Sequence, residues 1–188
     1  MKPSLRSLAL SAMFLALGLV IPFLTGQIPE IGNLLLPMHL PVLLCGLVCG
    51  WKYGLAVGFT TPLLRSMLFG MPTFYPSAVS MAFELAAYGA SIGAVDRLFP
   101  RKTIGSTYVS LLSAMILGRL VRGAVQWLLL VVFGNGYSFA AFWAGGVTEA
   151  IPGIILQLIL IPPLMTLIRK LQAKKASQKK TETQSWFS

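Results

Sequence analysis

Apolar residues occur along this chain in long blocks, separated by short clusters of glycine, proline and charge. An α-helix needs about 20 mainly apolar residues to cross a bilayer. Breaks at glycine, proline and charge delimit six blocks, at residues 5–24, 36–50, 53–69, 77–96, 104–133 and 139–168. The pattern predicts an all-α integral membrane protein with six transmembrane helices. The second and third blocks are short and are interrupted by Pro41, Gly46, Gly50, Gly54, Gly58 and Pro62, so they read as a bent helical hairpin. Two connections read as irregular loops. One runs from Thr25 to Leu36; the other, Gly70 to Pro76, holds Phe74 and Tyr75 between two prolines that end one helix and start the next. The first block starts basic, as a secretory signal does. Its apolar run is long, however, and no small-x-small cleavage site follows before Pro22, so it reads as the first span.

Composition supports the same picture. Of 188 residues, 56% are hydrophobic and only 11% charged, against about a quarter charged in an ordinary soluble domain. Too few polar side chains remain to cover a water-facing surface. The distribution of Lys and Arg then gives the predicted orientation, because cytoplasmic loops hold an excess of them. If the chain starts inside, Lys2 and Arg6, Lys52, Arg97 with Arg101 and Lys102, and the cluster Arg169, Lys170, Lys174, Lys175, Lys179 and Lys180 all fall on the inner side. The outer loops near Glu30, Thr73 and Asn135 carry no Lys or Arg. Both termini are therefore expected in the cytoplasm. The chain divides into one transmembrane domain, 1–170, and a basic tail, 171–188, whose charge suits anionic lipid headgroups. A net charge of +10 could suggest nucleic acid, but these charges follow an apolar span rather than a folded soluble face, so no nucleic-acid partner is expected.

Ionisable groups inside a span are costly unless they find partners in the protein interior, which makes each one a candidate for function. His39, Arg65, Glu84, Arg119, Arg122 and Glu149 fall inside the predicted spans, in the outward half. Arg119 and Arg122 are three residues apart and share a helix face, with Glu84 and Glu149 as their natural partners. One reading is a salt-bridge network that locks the helices; the other is a site for a ligand entering from outside. Three arginines against two glutamates leave a positive surplus that favours an anionic group such as a carboxylate. Phe74 and Tyr75, on the proline-bounded loop, are placed to cap a vitamin-sized cavity. Trp127 and Trp143 suit an interfacial aromatic belt, and Cys45 and Cys49 suit packing.

Catalytic signals are weak. The chain has no G-x-S-x-G, no H-E-x-x-H and no Walker sequence, so energy for any active transport must come from elsewhere. No cofactor and no resident metal are implied. An alternative of another class is an intramembrane metal-dependent hydrolase using Glu84, Glu149 and His39, which requires the three to converge at metal-ligand distances.

The strings Leu36-Pro37-Met38-His39-Leu40-Pro41-Val42-Leu43-Leu44-Cys45-Gly46, Gly50-Trp51-Lys52-Tyr53-Gly54, Leu68-Phe69-Gly70-Met71-Pro72 and Met81-Ala82-Phe83-Glu84-Leu85-Ala86-Ala87-Tyr88-Gly89 carry a family likeness. With the six spans and the Ala12-x-x-x-Ala16 face on the first helix, the chain resembles the substrate-binding S components of energy-coupling-factor (ECF) vitamin transporters. The strings look like the branch that includes pantothenate and cobalamin-precursor transporters. The resemblance implies a multi-pass protein of the bacterial plasma membrane that binds a vitamin. Pantothenate comes first, with pyridoxine or a benzimidazole precursor as alternatives that Glu84 and His39 could hold. It also implies partners: a transmembrane coupling subunit, docking on Ala12 and Ala16, and two ATPase subunits. The S component would topple in the membrane to deliver its ligand, with the loops after the first helix and around Phe74 and Tyr75 closing over it.

Overall fold

The computed structural model describes residues 5–25, 36–132 and 151–185. Among these residues it is all helical. Six α-helices follow in order: α1 (Leu5–Val20), α2 (His39–Cys49), α3 (Trp51–Phe69), α4 (Val79–Leu98), α5 (Ile104–Val132) and α6 (Ile151–Ser185). A 3₁₀ turn, Ile21–Thr25, extends α1, and a π turn, Phe74–Ala78, leads into α4. Among the described residues, four stretches are long and apolar enough to cross a membrane: Leu5–Phe23, Phe74–Leu98, Ile104–Leu129 and Ile151–Gln172.

The second and third blocks depart from the other four. The block predicted at 36–50 yields an 11-residue helix, about 16 Å long at 1.5 Å per residue and shorter than the hydrocarbon core. Gly50 separates it from α3 at φ 97°, a left-handed conformation that glycine adopts without a Cβ penalty. Pro41 falls in the first turn of α2, where the backbone N–H has no helical partner in any case, so it does not interrupt the helix. Gly70, at φ 69°, caps the far end of α3 by donating to the Ser66 carbonyl.

Glycines read from the sequence as breaks turn out to be packing surfaces. Gly54 and Gly58 lie inside α3, where an added Cβ would strike the backbone of α4 at Gly89 and at Leu85 respectively. A Cβ on Gly46 would come within 2.6 Å of the Gly89 carbonyl oxygen, and one on Gly93 within 2.5 Å of the Trp51 nitrogen. Small residues let helix backbones approach closely where apolar burial gives no preference over lipid. As a result α4 packs against α2, α3 and α5 at the centre of the bundle, and Leu85, Tyr88 and Ile92 are fully buried with Val42, Leu43, Leu111 and Ile161.

The outer surface is apolar. On α5, Val109, Leu112, Ile116 and Leu120 are exposed, whereas Ser106, Thr107 and Ser110 are buried. This is the reverse of a soluble helix and is stable only where lipid covers the leucines. The buried Ser110 hydroxyl donates to the Ser106 carbonyl, 2.9 Å away, so the inward polar face satisfies itself. At the start of α5, Thr103 and Ser106 bond reciprocally, side chain to backbone N–H, at 3.0 and 3.2 Å, an N-terminal cap of the capping-box type.

The basic cluster lies on the continuation of α6. α6 runs on from Ile151 through Pro162, Pro163 and Arg169 to Ser185. Ala, Lys and Gln beyond Arg169 are good helix formers, and no glycine or proline follows to stop the helix.

Candidate functional site

Glu84 sits one turn into α4 and is completely buried. Its Oε2 accepts from Arg122 Nη1 at 2.8 Å, and its Oε1 lies 3.3 Å from Arg119 Nη1. The i, i+3 spacing on α5 aims both guanidiniums at one carboxylate. The first residue of α2, His39, is also fully buried and brings Nε2 to 3.7 Å from Glu84 Oε1. That distance is beyond a hydrogen bond, and neither His39 ring nitrogen has a hydrogen-bond partner among the described residues. Three helices thus deliver a carboxylate, two arginines and an imidazole to one buried layer.

Tyr88, one helical turn from Glu84, completes the wall. Its ring meets His39 edge to face at a centroid distance of 5.2 Å and rests on Gly118 of α5, where an added Cβ would lie 2.9 Å from the ring. Tyr88 was legible as i+4 from Glu84 on the same face, but nothing local distinguishes it from a core aromatic. Gln157, 1% exposed, was also missed. It is the single polar side chain between Ile151 and Met165, and its Nε2 has no hydrogen-bond partner among the described residues.

Arg65 does not join this layer. It donates from Nη1 to the Leu19 carbonyl at 2.6 Å, satisfying a carbonyl left open at the end of α1. Its guanidinium lies 5.0 Å from the Phe23 ring and 5.6 Å from the Phe69 ring, in a cation–π arrangement. Those two rings are themselves in edge contact at 4.9 Å. The outward grouping expected of Arg65 with the other charges therefore resolves into a separate clamp between α1 and α3.

Phe74 and Tyr75 occupy the π turn and are exposed. Tyr75 takes extended backbone angles, φ −120° and ψ 134°, and its hydroxyl donates to the Leu129 carbonyl at 2.8 Å. Leu129 lies two turns beyond Arg122, about 10 Å further along α5. Glu149 falls outside the described residues, as do Glu30, Tyr137, Phe142 and Trp143. Ala12 and Ala16 are exposed on α1, opposite the buried Ser11, Phe14 and Gly18.

Residues 6–165 match the family of the ECF transporter, substrate-specific component. The chain belongs to that family. No curated protein and no solved structure matches it. The matched range takes in the described parts of α1 to α5 and the buried half of α6, including the whole Glu84 layer. This S component is thus a substrate-binding membrane subunit, and its family implies a small-molecule substrate and an ECF module of coupling and ATPase subunits. Among the described residues no three of His, Cys, Asp and Glu are grouped to hold a metal. Both oxygens of Glu84 instead face arginine.

Proposed function

We propose that this S component captures pantothenate, or a similar carboxylate-bearing vitamin, in the Glu84 layer and delivers it to an ECF module for ATP-driven uptake. The observation that carries the reading is the convergence of Arg119 and Arg122 on the one buried carboxylate of Glu84. A ligand carboxylate entering beside these two guanidiniums would gain charge-assisted hydrogen bonds in a low-dielectric setting. Tyr75, anchored about 10 Å along α5 from Arg122 through Leu129, and Phe74 beside it would close over the ligand, together with the segment after α1. Glu149 is assigned to the same site as a second partner for the arginines. Arg65, on this reading, holds the α1–α3 frame of the site and does not touch the ligand.

The chain would span the membrane six times with both termini and the 171–188 tail in the cytoplasm of a bacterial cell, the α2–α3 hairpin counting as two crossings. The exposed Ala12 and Ala16 face would take the coupling subunit, and two ATPase subunits would supply the energy. The hydrolase alternative loses support because Glu84, its proposed metal ligand, is engaged by arginine.

Equilibrium titration of the purified chain with pantothenate, pyridoxine and 5,6-dimethylbenzimidazole tests the ligand. Pantothenate is expected to bind, and Arg122→Ala to abolish that binding. Binding of a neutral heterocycle alone, unaffected by Arg122→Ala, would move the assignment to the His39 and Glu84 side.

A further inference from the structure

We propose that Gln157 of α6 is a specificity-determining residue of this S component, holding an uncharged amide or hydroxyl group of the ligand whose carboxylate lies at Arg119 and Arg122. The inference rests on the binding reading above and adds to it a second chemical requirement on the ligand.

The argument is one of depth. At the far end of the bundle Arg169 of α6 donates from Nη2 to Asp96 Oδ1 of α4 at 3.2 Å and from Nη1 to Thr107 Oγ1 of α5 at 3.0 Å. These contacts place Asp96, Thr107 and Arg169 in one layer and fix the register of three helices. Twelve residues along a helix is about 18 Å. Twelve residues from Asp96 toward the start of α4 is Glu84, and twelve from Thr107 toward the end of α5 is Arg119. Glu84 and Arg119 are in fact in contact at 3.3 Å, so the ruler holds between α4 and α5. Twelve residues from Arg169 toward the start of α6 is Gln157. The same ruler sets Gln157 at the depth of the Glu84 layer, on a helix that packs against α2 and α5, the helices that supply His39 and the arginines.

Burial supplies the second observation. Gln157 is 1% exposed, and its Nε2 has no hydrogen-bond partner among the described residues, as is true of both nitrogens of the fully buried His39. A buried amide donor without a partner is costly, and native proteins rarely keep one without a use. Arginine reads the charged end of a ligand. An amide, which both donates and accepts, reads an uncharged group that does the same. A site whose buried polar groups await a ligand hydrogen bond strongly rejects analogues that lack it.

The experiment compares the full-length chain with Gln157→Met, an unbranched apolar replacement of similar length, and with Gln157→Asn, which keeps the amide but shortens its reach. Each is titrated with pantothenate, examined by native mass spectrometry for any co-purified small molecule, and melted without ligand. Gln157→Met is expected to weaken binding by about tenfold or more, with a ligand-free Tm within about 2 °C of the parent. Gln157→Asn should fall between. If the parent ignores pantothenate but retains another small molecule that Gln157→Met loses, the pantothenate assignment fails and the role of Gln157 stands. Parental affinity in both variants would overturn the inference. So would a lowered Tm with unchanged affinity, the mark of a purely structural glutamine. A parent that binds and retains nothing would overturn both readings together.

Discussion

The bundle holds two charged layers of similar composition but different character. In the Asp96 layer one carboxylate meets Lys102 at 2.6 Å and Arg169 at 3.2 Å, Lys102 donates a second bond to the Asp96 carbonyl, and Arg169 donates also to Thr107. Its cations are partly exposed, Lys102 by 38% and Arg169 by 22%. In the Glu84 layer the carboxylate and His39 are wholly buried, and neither ring nitrogen of His39 has a hydrogen-bond partner among the described residues. The first layer ties the end of α4, the start of α5 and the middle of α6, and completes its own hydrogen bonds. The second is buried more deeply yet less complete, an arrangement that makes sense if a ligand finishes it. A buried ionic cluster that were only structural would be poor value, since apolar side chains of the same size stabilise as well or better.

That contrast can be broken most forcefully at Glu84. Glu84→Ala leaves two partly buried guanidiniums without their carboxylate and should lower stability by about 3–5 kcal/mol, read as a fall in Tm of the purified protein, with ligand binding lost. The triple variant Glu84→Leu, Arg119→Leu, Arg122→Leu removes all three charges together. Its stability should return to within about 2 kcal/mol of the parent while binding stays absent. Recovery of binding with stability would reduce the layer to a structural network.

A smaller effect is expected from the glycine contacts that hold both layers in register. Gly89→Ala pushes a methyl group into the backbone of α3 at Gly54 and should cost about 1–3 kcal/mol, with Gly105→Ala, open at its Cβ position, as the harmless control in a thermal melt.

Asp96→Asn should cost only about 1 kcal/mol, because its partners are solvated, and the loss should shrink further in high salt. Ligand affinity should not change. A fall in affinity equal to that of Glu84→Ala would erase the distinction between the layers. Lys174→Ala, exposed on the extension of α6, should change stability by less than about 0.5 kcal/mol and serves as the baseline of the series.

Much of the molecule was legible from local features. Long apolar blocks mark helices because a chain in lipid must satisfy its backbone bonds internally, and the block predicted to start at residue 104 does start α5 at Ile104. The charges of His39, Glu84, Arg119 and Arg122 stood out because an ionisable group in a span needs a reason to be there. Gly54 and Gly58 misled, since a glycine that stops a helix and one that lets two helices touch look identical along a single chain. Gln157 was passed over because one amide in an apolar run carries no charge to signal it.

The sequence by itself determined the helical, membrane-borne class of the protein, its buried charges, the small-residue face of Ala12 and Ala16, and its likeness to ECF S components, because hydropathy, charge and motif are properties of neighbouring residues. Tertiary packing alone brings Arg119 and Arg122 together on Glu84 and sends Arg65 to the Leu19 carbonyl. Each of those facts depends on the register of one helix against another. In this chain that register is set by glycine contacts and by Arg169 reaching Asp96 and Thr107, pairings between residues far apart in sequence.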